Sequence, residues 1–298
     1  MSGPDFIPAA VRARLKDLRL AGRRAAGGHG FGQHRSRSRG AGLEFAQYRA
    51  YEPGDELRQI DWKLYARSDR FFVRESERDS PLTAWVLVDA TASMAQGDAA
   101  RPGWTRLDAA RALAACVFEL ALRQGDRFGL AAISGDGLQL VPPGAGPRHR
   151  DRCLLELQGL RARGDWPDET RLRPLWERIA AGQLVLLLGD DFDEGAVVLM
   201  EKLSAARREV LNIQLLTAEE RDFPFRGGHR FRDPESEAEL IGDGAAARAD
   251  FLARFAAARE ALQARLAASG VRRVEYFLDQ PLDAPLRRLL APQAAERA

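Results

Sequence analysis

Thr83–Met94 reads TAWVLVDATASM, and the rest of the chain is best understood outward from it. Seven residues, TAWVLVD, run almost without a polar break and stop on Asp89. A continuous apolar run of that length suits a strand covered on both faces, as in a parallel sheet. Thr105 to Gly125, TRLDAARALAACVFELALRQG, then has the signs of one helix. Thr105 stands as N-cap, Asp108 in the reciprocal capping position, and Gly125 as stop. RFGLAAIS and LQLVPP follow as two strands joined across GDG. That turn is too short for a parallel crossover, so one antiparallel edge strand is expected.

Farther on, apolar strands and helix-period segments alternate. A helix around DRCLLELQGL leads to the loop RARGDWPDE, and the helix TRLRPLWERIAAG runs into the strand QLVLLLGD. GAVVLMEKLSAARR runs into EVLNIQLL, and after a polar insertion at 218–243 a long helix, 245–269, runs into RRVEYFL. This order predicts an α/β fold: a doubly wound, mostly parallel sheet with right-handed crossovers and one antiparallel edge strand.

Upstream the texture differs. Ile7, Val11, Leu15 and Leu18 recur at helical spacing in a basic amphipathic helix over 4–26, and GGHGFGQHRSRSRGAG reads as a flexible arm. Residues 43–80 carry a small irregular β segment. The expected division is a basic helix and arm (1–42), that segment packed on the main domain (43–80), the α/β domain (81–280) and a C-terminal tail (281–298).

Composition narrows the function classes. The 298 residues hold 45 Lys and Arg against 43 Asp and Glu, a formal net charge of +2. That balance does not point to nucleic acid, and the short RSRSRG run lacks interleaved aromatics. Cys116 and Cys153 read as buried free thiols, and the four histidines show no zinc-ligand spacing. No apolar run reaches the roughly 18–20 residues of a membrane span, and the first residues lack a signal-peptide core. A cytoplasmic protein is the expectation.

Two predicted strands end on acids, Asp89 and Asp190, and ligands of open α/β sheets bind at the carboxyl ends of strands. If the two strands are neighbours, their carboxylates converge. Thr91 and Ser93 add hydroxyl oxygens on the same loop, and Thr170 in the loop DWPDET supplies another. Such oxygen donors suit Mg²⁺, or Mn²⁺ or Ca²⁺. The same residues are also ordinary caps and turn formers, and both readings stand at this point. Asp191, Asp193 and Glu194 read as acids preceding or opening the next helix, where its dipole favours them.

DATASM resembles the metal-ion-dependent adhesion site of von Willebrand factor A domains, whose first motif is Asp-x-Ser-x-Ser. The resemblance implies Asp89, Thr91, Ser93, Thr170 and Asp190 as metal ligands, with Thr105 as a rival to Thr170. Thr91 stands where Ser is usual, and Gly189 where Thr or Ser often precedes the acid. The segment around YEPGDELRQIDWKLYAR is similar to the signature of the bacterial DUF family fifty-eight. It matches at Arg49, Tyr51, Gly54, Asp55, Arg58, Ile60, Asp61, Trp62, Lys63, Ala66 and Arg67. That resemblance implies partnership with a MoxR-type AAA+ ATPase. Asp55, Arg58, Asp61, Trp62, Lys63 and Arg67 then read either as a salt-bridged clasp anchored by Trp62 or as a docking surface for the ATPase.

No Walker-type loop, dinucleotide-binding glycine pattern or nucleophilic triad is present, and the position two residues after Asp89 is Thr91 rather than a second acid. With those motifs absent, the reading adopted is the one the resemblance implies, a non-enzymatic adaptor that binds a protein partner through a metal site. The alternatives are a metal-free scaffold and a metal-dependent phosphoester hydrolase.

Overall fold

The computed structural model describes residues 6–20, 45–52, 60–76, 81–232 and 239–291. It divides into two compact units, one built from residues 6–20 together with 82–291 and the other from the described residues between 45 and 81.

The main unit opens with α1 (Ala9–Arg14), which is shorter than the helix expected over 4–26. Pro8 starts it, and the Leu15 amide closes it on the Val11 carbonyl. The chain then peels away because Leu20 exchanges two hydrogen bonds with the Gln124 side chain, at 2.7 and 3.0 Å. Val11, Leu15 and Leu20 are buried in the main core.

The smaller unit holds β1 (Phe45–Ala50), α2 (Trp62–Ser68) and β2 (Phe72–Ser76), with the two strands antiparallel. Asp61 starts α2 by accepting from the Lys63 and Leu64 amides, and also accepts from the Tyr48 hydroxyl at 2.9 Å. Trp62 does not pack into a core within this unit. It is 59% exposed, because it opens a seven-residue helix that buries none of its residues. Its ring meets Tyr65 and Phe71 edge-on. Lys63 and Arg67 are exposed, while Asp55 and Arg58 lie outside the described residues.

The main unit continues with β3 (Thr83–Asp89), a 3₁₀ turn at Ala92–Ala95, the small hairpin β4 (Gly97–Asp98) and β5 (Arg101–Thr105), and α3 (Arg106–Gln124). Next come β6 (Arg127–Ser134), β7 (Gly137–Gly144), α4 (Pro147–Gly159), α5 (Glu169–Arg178), β8 (Leu184–Gly189) and α6 (Glu194–Ala205). The unit closes with β9 (Glu209–Leu216), α7 (Ala218–Asp222), the hairpin β10 (Gly228–Arg232) and β11 (Glu239–Asp243), α8 (Gly244–Ala268), β12 (Arg272–Phe277) and α9 (Ala284–Leu290).

Six strands form one sheet in the order β12-β9-β8-β3-β6-β7. Every pair is parallel except β6 with β7, so the short GDG turn does produce the antiparallel edge. This is the von Willebrand A-like architecture anticipated from the sequence. Alternation along β3 feeds two cores. Ala84, Val86 and Val88 face α3 and the N-terminal segment, whereas Trp85 and Leu87 face α5 and α6. The capping box of Thr105 with Asp108 and the left-handed Gly125 (φ 73°) bound α3 as expected.

Both cysteines are free and buried, and burial pushes each thiol up to about 12. The insertion at 218–243 is less polar than its sequence suggests. Phe223, Phe225, Phe231 and Phe251 form an aromatic cluster around its hairpin. Among the described residues no helix is long and apolar enough to cross a membrane.

Candidate functional site

Because β3 and β8 are paired, with Val88 opposite Leu188, their acidic ends meet at the carboxyl edge of the sheet. The Asp89 loop folds on itself. Asp89 Oδ1 accepts from the Thr91 amide at 2.9 Å and the Thr91 hydroxyl at 2.7 Å. Thr91 Oγ1 lies 3.2 Å from Ser93 Oγ. Asp89, Thr91 and Ser93 are all buried. The loop before α5 braces this arrangement from outside, since the Arg163 amide donates to the Ala90 carbonyl and the Ala92 amide to the Gly164 carbonyl.

Gly189 is explained by its neighbour. A Cβ there would stand 3.0 Å from Asp89 Cβ and 3.1 Å from Asp89 Oδ2. A larger residue at this position would crowd the Asp89 side chain. Gly189→Thr should cost about 1–3 kcal/mol, as overpacking does, and calorimetric melting would read the loss.

Asp190 does not stand alone. Arg106, at the first position of α3, is buried and donates through Nη1 to Asp190 Oδ2 at 2.9 Å and to the Ser93 carbonyl at 3.1 Å. Its Nη2 pairs with Glu220. The other Asp190 oxygen, Oδ1, accepts from the Phe192 amide at 3.2 Å. Glu220 also closes the capping box of α7 with Thr217. The Phe192 ring centroid lies 5.1 Å from the guanidinium carbon, and this ring is 52% exposed.

Asp191 is not a helix-capping acid. It is buried, with φ 58°, and accepts from Asn212 Nδ2 at 3.0 Å. Burial, together with the charges of Asp190 and Asp89, pushes its carboxyl well above the usual carboxylate range. Asp191 Oδ2 and Asn212 Oδ1 find no hydrogen-bond partner among the described residues. Gln214 donates to the Asp190 carbonyl at 2.7 Å and accepts from Arg273, extending the polar network along β9 to β12. Asp193 caps α6, and Glu194 pairs with Arg265.

The remaining predicted donor is engaged locally. Thr170 is exposed on the first turn of α5, and its hydroxyl donates to the capping Asp168 at 2.5 Å. That turn is already organised by Asp168, which also accepts from the Arg171 amide. Thr105 caps α3 through Asp108.

Asp89, Thr91, Ser93 and Asp190 present only oxygen donors, the chemistry a hard divalent cation requires. The close approach of the Asp89, Thr91 and Ser93 oxygens lets one ion be shared between them. No group of three or more His, Cys, Asp or Glu side chains suited to a metal occurs among the described residues, so any such site depends on the hydroxyls. The donor chemistry fits an ion, while Arg106 already supplies positive charge to Asp190.

Arg106, Asn212 and Gln214 are residues that the sequence reading passed over, and Asp191 is one it read only as an acid ahead of the next helix. A cation in the first turn of a helix opposes the helix dipole, and such a placement marks Arg106. Two polar residues at alternate positions of EVLNIQLL mark Asn212 and Gln214, both of them buried.

Similarity to other proteins agrees with the signature segment. Residues 47–261 match the family described as "Protein of unknown function DUF58". The chain is 32% identical over 271 residues to the uncharacterized proteins Rv1480 of Mycobacterium tuberculosis and Mb1516 of Mycobacterium bovis, covering 88% of this chain and 82% of theirs. Among solved structures it is similar to the conserved hypothetical protein BatB from Bacteroides thetaiotaomicron, at 14% identity and a TM-score of 0.43, covering 65% of this chain and 90% of that one. It is also similar to the SpRpn10 VWA domain, at 14% identity and a TM-score of 0.40, covering 70% and 95%. With more than half its length matched by the family model, the chain belongs to the DUF58 family.

Proposed function

We propose that this chain is a non-enzymatic, cytoplasmic interaction module whose carboxyl edge receives an acidic group of a protein partner. The observation that carries the reading is the Asp89–Thr91–Ser93 oxygen cluster set beside Asp190, with the half-exposed Phe192 at its rim. Mg²⁺, or Mn²⁺ or Ca²⁺, would be held by Asp89, Thr91 and Ser93, with Asp190 contributing from β8. When bound, the ion supplies a positive centre for the partner's carboxylate. The chain's own residues orient the donors: the Thr91 amide fixes the Asp89 carboxylate, and the Arg163–Gly164 backbone holds the loop. The partner class is a MoxR-type AAA+ ATPase acting with a client protein, as the family resemblance implies.

One observation favours a metal-free form of the same role, namely the buried Arg106–Asp190 pair, which places a cation at the edge without an ion. The two are separated by binding of the full chain to its AAA+ partner with and without EDTA, alongside Asp89→Ala. The expected outcome is binding lost by at least about tenfold, about 1.4 kcal/mol, both in EDTA and in a folded Asp89→Ala chain. Binding unaffected by either treatment overturns the metal bridge.

A further inference from the structure

Arg106 is an unusual residue for its place. It is 2% exposed, stands at the positive end of a 19-residue helix, and is covered on its outer side by Phe192. A buried guanidinium there is disfavoured both by desolvation and by the helix dipole. It is retained through Asp190, Glu220 and the Ser93 carbonyl. The Asp190 and Ser93 contacts are made by one nitrogen, Nη1. That nitrogen therefore bridges the β3 loop and the β8 acid, the two halves of the candidate donor set.

We propose that Arg106 is a built-in competitor for the divalent cation, so that the edge takes an ion only when the guanidinium leaves Asp190. The proposal rests on the metal-site reading above. A divalent ion needs the same Asp190 carboxylate, and two cations sharing it repel at close range in a site with little water. Oδ2 is the Asp190 oxygen held by Arg106, so it is the one at which the two cations compete directly, while Oδ1 accepts from the Phe192 amide. Glu220 offers Arg106 a second anion, which lets the guanidinium give up Asp190 without losing all its compensation. Phe192 is both the outer cover of the guanidinium and the owner of the amide that orients Asp190. A partner pressing on this exposed ring therefore acts on Arg106 and Asp190 together. Weak ion binding by the isolated chain and stronger binding in a complex follow from this coupling.

The test is titration of the full chain with Mn²⁺, followed by calorimetry, for wild type, Arg106→Gln and Arg106→Lys. Arg106→Gln should bind Mn²⁺ at least about tenfold more tightly than wild type, because the competing charge is gone. Arg106→Lys, which keeps the charge, should stay close to wild type. Equal, measurable affinity in wild type and a folded Arg106→Gln chain overturns the competition while leaving the metal site standing. No binding in any folded chain overturns both. A second measurement does not depend on the variants folding. In wild type, the Arg106 Nε–H resonance should shift in step with Mg²⁺ binding, and saturation by Mg²⁺ with that resonance unmoved overturns the proposal.

Discussion

Asp190→Ala should lower the unfolding free energy by about 3–5 kcal/mol, the usual cost of removing one partner of a buried ion pair. Asp190 and Arg106 side chains are each 3% exposed, so water cannot replace the lost partner. Among the described residues Glu220 would remain as the only anion paired with the guanidinium, and its side chain is 21% exposed. The Phe192 amide would also lose its acceptor. Urea titration followed by circular dichroism checks the loss. Asp190→Asn retains an oxygen for Arg106 and should lose distinctly less. Equal losses for Ala and Asn would show that charge, rather than hydrogen bonding, sets the cost. A loss below about 1 kcal/mol for Ala, the range of an exposed pair, would mean that Arg106 is not held by Asp190.

Trp85→Ala should cost about 3–5 kcal/mol through the cavity it leaves. Trp85 is 1% exposed and lies on β3, packed among Leu175, Val185, Met200 and Leu203 on the α5–α6 face of the sheet. Its indole nitrogen donates to Gln183 Oε1 at 2.9 Å, and the same oxygen accepts from the Ala180 amide at 3.0 Å. Trp85→Phe separates packing from hydrogen bonding. It keeps most of the apolar volume, leaves Gln183 one donor, and should cost about 1–2 kcal/mol, a hydrogen bond plus a small void. The same urea titration reads both variants. Both are expected to leave the carboxyl-edge geometry intact, because Trp85 faces the core below that edge.

Elements whose identity rests on local chemistry were the most readable from sequence. Thr105, Asp108 and Gly125 marked both ends of α3, and the GDG turn required the antiparallel β6–β7 pair. Asp89 and Asp190 were legible as acids ending two apolar strands, and their convergence, conditional on those strands being neighbours, is supplied by the β3–β8 pairing. The other features depend on partners distant in sequence. Arg106 finds Asp190 after 84 residues and Glu220 after 114. Asp191 sits among four acids in GDDFDEG, and only the left-handed turn and Asn212 distinguish it from its neighbours. Thr170 shows how a residue type can serve two roles. Its residue type suits a ligand, yet its hydroxyl serves the local start of α5. Trp62 read as an apolar anchor, and within its own unit the short helix α2 leaves the ring largely exposed.

The tie between the N-terminal segment and α9 has a consequence for how the protein is made. Asp283 pairs with Arg14, and Arg287 donates to the Arg14 carbonyl across 273 positions of sequence. Residues 6–20 leave the ribosome before the sheet, but these partners follow only after all six of its strands. At roughly 5–20 residues per second, the wait is on the order of tens of seconds. Until then the contacts that fasten α1 are incomplete, and loop closure over so long a span is entropically costly. Fastening of residues 6–20 to α9 is therefore a late step, later than synthesis of β12, whereas the hydrogen bonds of Arg123 and Gln124 on α3 to the Leu15 and Leu20 backbone can form earlier.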